Sequence, residues 1–312
     1  MQIKTVNSTA DLLLEDEERK KERPFFTFLR RICKRPEAIV GFTVLVVIAI
    51  LSIIAPWICE YPYDLIDGVN KNLLPSAEHW FGTDQMGRDI FVRVLYGGRY
   101  SLPIGIISVG IGASGGLVLN YILGGNTTLV LGAIAGFFGG KADMLIMRFL
   151  DIFHAIPQVL LAVIVSTVLG PGLFQTVFAV GVGAIPNFAR VIRANILAVR
   201  GLEYVEAAES INCSKRRIIF RHVIPNAITP FIVQVSIAIA NGLIVASTLS
   251  YIGLGVQPPT PEWGAMLADA RTLVRQYPTQ MLFPGIFIMM SVLSFNLIGD
   301  AIRDALDPKL RG

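Results

Sequence analysis

One charge-free segment near the start of the chain, AIVGFTVLVVIAILSIIAPWIC (Ala38–Cys59), decides the fold class. Its 22 residues contain no Asp, Glu, Lys or Arg, and a helix of about 20 apolar residues crosses the ~30 Å hydrocarbon core of a bilayer. The whole chain is apolar as well: 53% of its 312 residues are hydrophobic and 16% are charged, whereas a soluble domain has about 25% charged residues. This composition excludes a soluble enzyme, a disordered regulator and a secreted scaffold, and it predicts a membrane protein.

Four further uncharged runs follow the first one. They are Ser101–Gly140, Ile152–Ala189, Val223–Pro261 and Gln276–Gly299. The second of these runs contains Gly170-Pro171-Gly172 near its middle, and we expect two helices joined by a tight turn there, because Gly and Pro together interrupt helices. The third run ends in a Pro/Gly-rich tail, so it predicts a single crossing.

The Ser101–Gly140 run is long enough for either one or two crossings, and the distribution of charge decides between them. With one crossing, 21 of the 27 Lys and Arg residues lie in segments on the inner side, as the positive-inside rule requires. Two crossings would move the seven cations of residues 190–222 outside. We therefore predict six transmembrane helices with both termini in the cytoplasm, and a kinked, re-entrant or interfacial stretch around Gly124–Thr127.

The charged segments divide the chain into regions. Residues 1–37 form a cytoplasmic tail in which apolar residues from Phe25 to Ile32 interleave with the cations of residues 30–35. This pattern is typical of an amphipathic elbow helix on the inner membrane surface, and a plain positive-inside anchor is the alternative. Residues 38–312 form the transmembrane domain. It includes an outer loop (residues 60–100) and a long cytoplasmic loop (residues 190–225).

The sequence contains no complete motif for catalysis or nucleotide binding. Gly140-Lys141-Ala142 lacks both the first glycine and the hydroxyl of an ATP-binding loop, and the three histidines lie in three different segments, so no metal site is predicted. The glycines of GIGASG (Gly110–Gly115) lie inside an apolar run, where close helix packing explains them better than a dinucleotide site. The uncharged helical runs offer no proton or ion relay, so the energy for any transport would come from elsewhere.

The cytoplasmic loop carries the most informative pattern. Residues 203–208 are mostly good helix formers, Asn212 can adopt the left-handed conformation that ends a helix, and Ser214 can cap a second helix that bears four cations. Such a helix–turn–helix is too polar to enter lipid. It predicts a docking surface for a soluble partner, with a membrane-surface hairpin as the alternative.

The segment EYVEAAESINCSKRRIIFRHVIPNA (residues 203–227) resembles the EAA loop of permease subunits in binding-protein-dependent ABC importers. Glu206-Ala207-Ala208 match that motif, whereas Asn212 replaces its glycine. Asn tolerates positive φ better than most residues, so the replacement is mild. Further stretches resemble the C-type permease of dipeptide/oligopeptide importers, namely FGTDQMGRDIFV (Phe81–Val92), LDI (Leu150–Ile152), LGVQPPTPEWGA (Leu254–Ala265) and FNLIGD (Phe295–Asp300) with ALDPKLRG at the end of the chain.

This resemblance implies an all-α polytopic membrane protein with the type I ABC importer permease fold, a multi-pass component of the bacterial cytoplasmic (inner) membrane. Its expected partners are a second homologous permease, two ABC ATPase subunits, an extracytoplasmic substrate-binding protein and membrane lipid, and no nucleic acid. ATP and Mg would be bound by the ATPases, with no cofactor in this chain. The residues implied at the ATPase-coupling interface are Tyr204, Glu206, Ala207, Ala208, Asn212, Ser214, Arg216 and Arg217.

Two further expectations concern the substrate and its delivery. The charges of the outer loop are candidates for contact with the binding protein, and a solvated cap over the helices is the alternative. These charges are Asp84, Arg88, Asp89 and Arg93. Peptides are the main cargo of the family, whereas relatives carry nickel and other small solutes, and no residue of the pathway is identified. The competing classes are a self-contained secondary transporter or channel, and a membrane-bound enzyme, which should show clustered His, Asp or Glu.

Overall fold

A computed structural model of the chain describes residues 35–114 and 151–306, together with Ile32 and Arg148. The predicted elbow helix of residues 1–37, the stretch around Gly124–Thr127 and the ALDPKLRG end therefore lie wholly or largely outside the described residues. Within them, the regular structure is helical. In chain order the helices are α1 (Pro36–Ile58), α2 (Ile90–Ser114), α3 (Gln158–Leu169), α4 (Leu173–Arg200), α5 (Glu203–Ser210), α6 (Lys215–Ile218), a π-helical turn (Ile219–Val223), α7 (Ile224–Tyr251), α8 (Trp263–Ala270) and α9 (Thr279–Leu306).

Five of the described helices are long and apolar enough to cross a membrane: α1, α2, α4, the Pro230–Tyr251 part of α7, and α9. This confirms a helical, multi-pass architecture. The remaining predicted crossing corresponds to α3, which has 12 residues and is therefore about 18 Å long, shorter than the hydrocarbon core. The count of six and the cytoplasmic location of the termini stay predictions. The start of α1 and the end of α9 do share one side, because Arg35 pairs with Asp304 over 3.2 Å.

The predicted turn between two helices of the Ile152–Ala189 run is confirmed. Gly170 and Gly172 have φ of 83° and 151°, a region that a side chain disfavours, and they separate α3 from α4 around Pro171.

The start of α2 differs from the prediction. The helix begins at Ile90 rather than at Ser101, so the last eleven residues of the outer loop belong to it. The charge-free criterion missed them because two cations lie in this stretch. Arg93 is buried and paired inside the protein, where a charge is tolerated when a partner compensates it, and Arg99 is exposed.

The helices pack around α2, which contacts α1, α4 and α7, while α9 packs on α1 and α7. Gly112 of α2 lies directly against α4, since a Cβ at this position would lie 2.8 Å from Ala184 Cβ and 3.0 Å from the Gly181 carbonyl oxygen. The packing interpretation of the GIGASG glycines is thus confirmed at Gly112. Gly110 has nothing within 4 Å of the corresponding position.

Candidate coupling site and outer ion-pair cluster

The EAA segment forms the short helix α5, Glu203–Ser210. Its first turn contains two acidic residues, Glu203 and Glu206. Their negative charges stabilise the helix because they lie near the positive end of the helix dipole. Asn212 follows the helix with φ 58°, which confirms the left-handed conformation predicted for it. The backbone N–H groups of Asn212 and Cys213 donate to the carbonyls of Glu209 and Ala208 over 2.9 and 3.2 Å, and these bonds close the end of the helix.

The inward face of α5 joins it to the membrane helices. Val205 is fully buried and Ala208 is nearly so, and both belong to one apolar cluster. That cluster also contains Ile192 and Ile196 of α4, Ile218 of α6, Val223 of the π turn, and Ala227 and Phe231 of α7. Burial of a valine side chain stabilises a protein by roughly 1.5–3 kcal/mol, so α5 is packed against its own chain rather than suspended in a loop.

The opposite face of α5 is exposed and presents Tyr204, Glu206 and Ala207. Asn212, Ser214 and Arg217 are exposed beyond the helix, whereas the side chain of Arg216 lies outside the described set. The sequence interpretation placed Ala208 with the partner-facing residues, but the structure places it against the helices of its own chain. It also missed Val205, although the i, i+3 spacing of Val205 and Ala208 marks an apolar face.

Behind α5, the chain enters α7 without a break through α6 and the π-helical turn Ile219–Val223. In the turn the Ile224 N–H donates to the Ile219 carbonyl, five residues back. Pro225 follows immediately, and in a regular α-helix its ring would clash with the carbonyl of Arg221. The wider π turn accommodates the proline. The predicted second helix is therefore the beginning of α7 rather than a separate element.

The four charged residues predicted to contact the binding protein form a buried cluster. Arg88 Nε donates to Asp84 Oδ2 over 2.6 Å, and its Nη2 reaches Asp269 Oδ2 of α8 over 3.2 Å. Arg93 Nε lies 3.7 Å from the same Asp84 oxygen, and its Nη1 donates to the carbonyl of Tyr63 over 3.1 Å. These side chains are held by one another in this conformation and are not presented at the surface.

Asp89 connects this part of the outer loop to α2. Its Oδ1 accepts the N–H of Val92 over 2.9 Å, which is the bond of an N-cap residue, and its Oδ2 lies 2.7 Å from His79 Nδ1. Gly87 has φ 79°, and a Cβ there would overlap the carbonyl oxygen of Asp67, so only glycine fits this turn. FGTDQMGRDIFV thus works as a scaffold that fixes the start of α2.

A second buried site, which the sequence reasoning missed, surrounds Glu262. Its carboxylate accepts the N–H groups of Gly264 and Ala265, both over 2.9 Å, at the start of α8, and the Ser101 hydroxyl of α2 over 3.1 Å. Burial raises the pKa of the Glu262 carboxyl above its ordinary value of 4.5, although these hydrogen bonds oppose the shift. The signal in the sequence was Glu262 directly before an apolar helix, the position of a cap.

Within residues 35–114 and 151–306, no group of three or more His, Cys, Asp or Glu side chains is arranged to hold a metal ion. What the described part of the chain does provide is a bundle of membrane helices, one short polar helix packed against its end, and a folded loop at the other side. These features define a multi-pass membrane protein with one polar helix available to a partner.

Comparison with known proteins gives the family. Residues 128–312 match the model described as binding-protein-dependent transport system inner membrane component, and residues 24–75 match the N-terminal transmembrane domain of oligopeptide transport permease C. The first match covers more than half of the chain. The chain belongs to this family of binding-protein-dependent importer permeases, and it is a multi-pass inner membrane protein and a transport subunit rather than an ATP-hydrolysing one.

Two relatives are similar over nearly the full chain. The dipeptide transport system permease protein of Alkalihalophilus pseudofirmus is 40% identical over 288 residues, which cover 92% of this chain and 91% of the relative. The glutathione transport system permease protein of Pectobacterium atrosepticum is 42% identical over 292 residues, which cover 92% of each. The C-type peptide-permease resemblance is thus confirmed.

Two solved structures share the fold. A methionine ABC transporter in an inward-facing conformation matches with a TM-score of 0.55 at 17% identity, over 69% of this chain and 96% of that chain. An amino acid ABC transporter solved with histidines matches with a TM-score of 0.51 at 14% identity, over 67% and 91%. At these identities the likeness shows the ABC importer permease fold and nothing about the substrate.

Proposed function

We propose that this chain forms half of the translocation pathway of an ATP-driven importer for dipeptides or oligopeptides, together with a second homologous permease. Two ABC ATPase subunits would bind ATP and Mg and would contact α5 from the cytoplasm, and an extracytoplasmic binding protein would deliver the substrate. The peptide specificity is supported by the dipeptide and glutathione transport named for the two relatives.

One observation carries the coupling role: α5 is packed firmly on one face and exposed on the other. Val205 and Ala208 attach it to α4 and α7, while Tyr204, Glu206 and Ala207 are left in solvent. A short helix fixed in this way transmits a push from a partner to the membrane helices, whereas a mobile loop would absorb it. Closure of the ATPase pair would thus move α4 and α7 and change the side from which the pathway is open.

Charge reversal on the exposed face tests this role. The complete importer would be purified with its ATPases, second permease and binding protein, and reconstituted in vesicles with the substitution Glu206→Lys. We expect the complex to lose at least about tenfold in peptide uptake, which corresponds to ~1.4 kcal/mol of lost interaction, while this permease keeps its melting temperature because Glu206 is exposed.

The matched control is Glu37→Lys, the same charge change at an exposed position in the first turn of α1. It should leave uptake close to the wild-type rate. Equal uptake by the Glu206 variant and wild type would exclude the coupling role of this residue. Uptake by the purified chain alone in vesicles without ATP would instead establish a self-contained secondary transporter or channel.

A further inference from the structure

Helix α7 carries a row of polar side chains along one of its faces. Gln234, Asn241 and Thr248 follow one another at intervals of seven residues, which is close to two turns of an α-helix, so the three side chains lie on the same face. Asn241 is exposed, and Gln234 and Thr248 are half-buried. We call Gln234 and Asn241 the amide pair of α7.

This face lies between two packed helices. On one side α7 packs against α4 through Phe231. On the other side it packs against α9, where a Cβ at Gly299 would lie 3.3 Å from Ile237 Cγ1. Behind the face, a Cβ at Gly242 would lie 3.3 Å from the Gly105 carbonyl oxygen of α2. The polar row therefore faces outward between α4 and α9, on a backbone that is held against α2.

The two amides have no partner within the part of the chain that the structure describes. The Thr248 hydroxyl donates to the carbonyl of Ile244 in its own helix over 2.8 Å, whereas the described residues provide no hydrogen-bond partner for the side chain of Gln234 or Asn241. A side-chain amide has two donor hydrogens and an acceptor oxygen, and it is costly to leave them unpaired in hydrocarbon. The amide pair therefore requires water or a polar ligand.

The depth of Asn241 separates it from the lipid headgroups. It lies at the middle of Pro230–Tyr251, the part of α7 that is long and apolar enough to cross a membrane, and so about 15 Å from either end of that part. At a similar depth α1 exposes only apolar groups such as Val47 and Ile50, and α1 contains no Asn or Gln. The open face of α7 thus has a chemistry that the lipid-exposed α1 avoids.

The residues beside Asn241 favour a water-filled passage over a direct helix contact. Close helix contacts in membranes are enriched in small residues, whereas Ile237 and Ile244 flank Asn241 about one turn away on either side. Apolar walls with a few well-placed polar groups are typical of ligand sites. The amide pair therefore has the surroundings of a binding site.

The chemistry and spacing of the amide pair match a peptide backbone. Seven residues of helix advance about 10 Å, and three residues of extended peptide also span about 10 Å. A side-chain amide can donate to a peptide carbonyl and accept from a peptide N–H at the same time. Since amides are uncharged, they bind the backbone without selecting peptides by the charge of their side chains.

We propose that Gln234 and Asn241 form a subsite that hydrogen-bonds the backbone of a peptide as it passes between α4 and α9. This proposal rests on the proposed importer function and deepens it, because it assigns two residues and one binding chemistry to the pathway. The subsite accepts short peptides with acidic, basic or apolar side chains alike.

Reaction with a water-soluble thiol reagent tests whether Asn241 faces an aqueous pathway. Asn241→Cys would be made in a chain whose Cys33, Cys59 and Cys213 are Ser, with Val47→Cys, at the middle of α1 and exposed, as the matched control. In the complete importer in lipid nanodiscs, Asn241→Cys should react with a charged methanethiosulfonate at least about tenfold faster than Val47→Cys, because the reactive thiolate forms in water. Equal rates in the nucleotide-free and the ATP-bound complex would overturn the proposal.

Peptide uptake tests what the amide contributes to transport. The importer in vesicles would receive a mixture of dipeptides and tripeptides with acidic, basic and apolar side chains, and mass spectrometry would measure the uptake of each. Asn241→Leu keeps the size of the side chain and removes the amide, so it should lower uptake of all three groups about fivefold, the usual effect of one lost hydrogen bond. A loss limited to one group, or no loss, would contradict backbone recognition.

Two further variants separate this role from a structural one. Asn241→Gln keeps the amide and should retain most of the uptake, and Asn241→Leu should keep the melting temperature of wild type because Asn241 is exposed. Thr43→Val removes a polar group from an exposed position of α1 and should leave uptake unchanged. Equal losses in Asn241→Gln and Asn241→Leu would overturn the role of the amide.

These measurements distinguish the subsite from the importer function on which it rests. ATP-driven uptake by the wild-type complex, with an unreactive Asn241→Cys, would overturn the subsite alone. A disulfide between Asn241→Cys and a cysteine of the second permease, in a complex that the reagent does not modify, would show a helix contact in place of the subsite. A wild-type complex that takes up no peptide of the mixture would contradict the importer function, and the subsite with it.

Discussion

The hydroxyl of Ser101 and the carboxylate of Glu262 are 161 positions apart in the chain and lie 3.1 Å apart in the structure. The same hydroxyl oxygen accepts the N–H of Trp263 over 3.1 Å, and the indole N–H of Trp263 donates to the Val94 carbonyl over 2.8 Å. A buried set of hydrogen bonds thus ties α8 to α2. Since α8 also supplies Asp269 to the ion pairs of the outer loop, this junction joins the loop to the membrane helices.

Removal of the Glu262 carboxylate should destabilise the protein. In Glu262→Ala the N–H groups of Gly264 and Ala265 and the Ser101 hydroxyl lose their acceptor in a buried site, at a cost of about 1–3 kcal/mol in the free energy of unfolding. Thermal unfolding of the purified permease in detergent would measure it. Glu78→Ala, at an exposed glutamate, should stay within about 0.5 kcal/mol of wild type, and an equally small change in Glu262→Ala would contradict the assignment.

The raised pKa of Glu262 predicts a specific pH dependence. Between the ordinary value of 4.5 and the higher folded pKa, the unfolded chain ionises this carboxyl while the folded protein keeps it protonated, so stability falls as pH rises through this window. Below the window the contribution is fully present. Melting temperatures measured at increasing pH from pH 4 should show this decline in wild type. The decline should be smaller in Glu262→Gln, whose side chain cannot ionise. An equal decline in both proteins would contradict the raised pKa of Glu262.

The buried and exposed ion pairs should respond differently to loss of one partner. Arg88 and Asp84 have side chains that are 3% and 11% exposed, and Arg88→Ala would leave the carboxylates of Asp84 and Asp269 without their common cation, at a cost of about 3–5 kcal/mol. Arg190 and Asp151 are 44% and 47% exposed, so Arg190→Ala should cost less than about 1 kcal/mol. The effect of each substitution is measured by the yield of folded protein in membranes and by the melting temperature. Similar values for the two variants would show that the ion pairs of the outer cluster do not stabilise the fold more than an exposed pair does.

Two glycines of α2 provide a matched test of helix packing. Gly112→Ala places a methyl group against Ala184 and the Gly181 carbonyl and should destabilise the protein by about 1–3 kcal/mol, the usual cost of overpacking. Gly110→Ala enters open space, and it should be neutral or stabilising because alanine favours a helix by about 1 kcal/mol over glycine. Urea or thermal unfolding of the two variants decides the matter: the packing assignment fails if their order is reversed.

The two faces of α5 should separate stability from coupling. Val205→Ala removes two buried carbon atoms from the apolar cluster and should lower the free energy of unfolding by about 2 kcal/mol. Tyr204→Ala, on the exposed face, should leave unfolding unchanged and reduce the peptide uptake per ATP hydrolysed by the reconstituted importer. A Tyr204 variant that melts early but transports normally would reverse the assignment of the two faces.

The sequence was sufficient to predict membrane-crossing helices in the long uncharged runs, because lipid demands such runs and Ala38–Cys59 satisfies that demand without help from tertiary structure. It placed the start of α2 eleven residues too late. It also predicted the backbone at Asn212 and the turn at Pro171, which depend on local conformational preference. Arg93 and Glu262 escaped prediction because their burial depends on partners far along the chain. The α5 residues were identified as a group; the spacing of Val205 and Ala208 marks the apolar face of the helix, and packing against α4 and α7 shows that Ala208 lies on this face and Ala207 does not.

The π turn at Ile219–Val223 makes the orientation of α5 depend on the number of residues between α5 and α7. Such a turn holds one residue more than the corresponding α-helical turn, and each residue advances a helix by about 100°. Loss of a single residue here would therefore rotate the chain before the turn, including α5, by about that angle about the axis of α7. Substitutions within the turn preserve this orientation, whereas insertions and deletions change it. The number of residues between Ser210 and Pro225 therefore sets the orientation of α5, the proposed coupling helix.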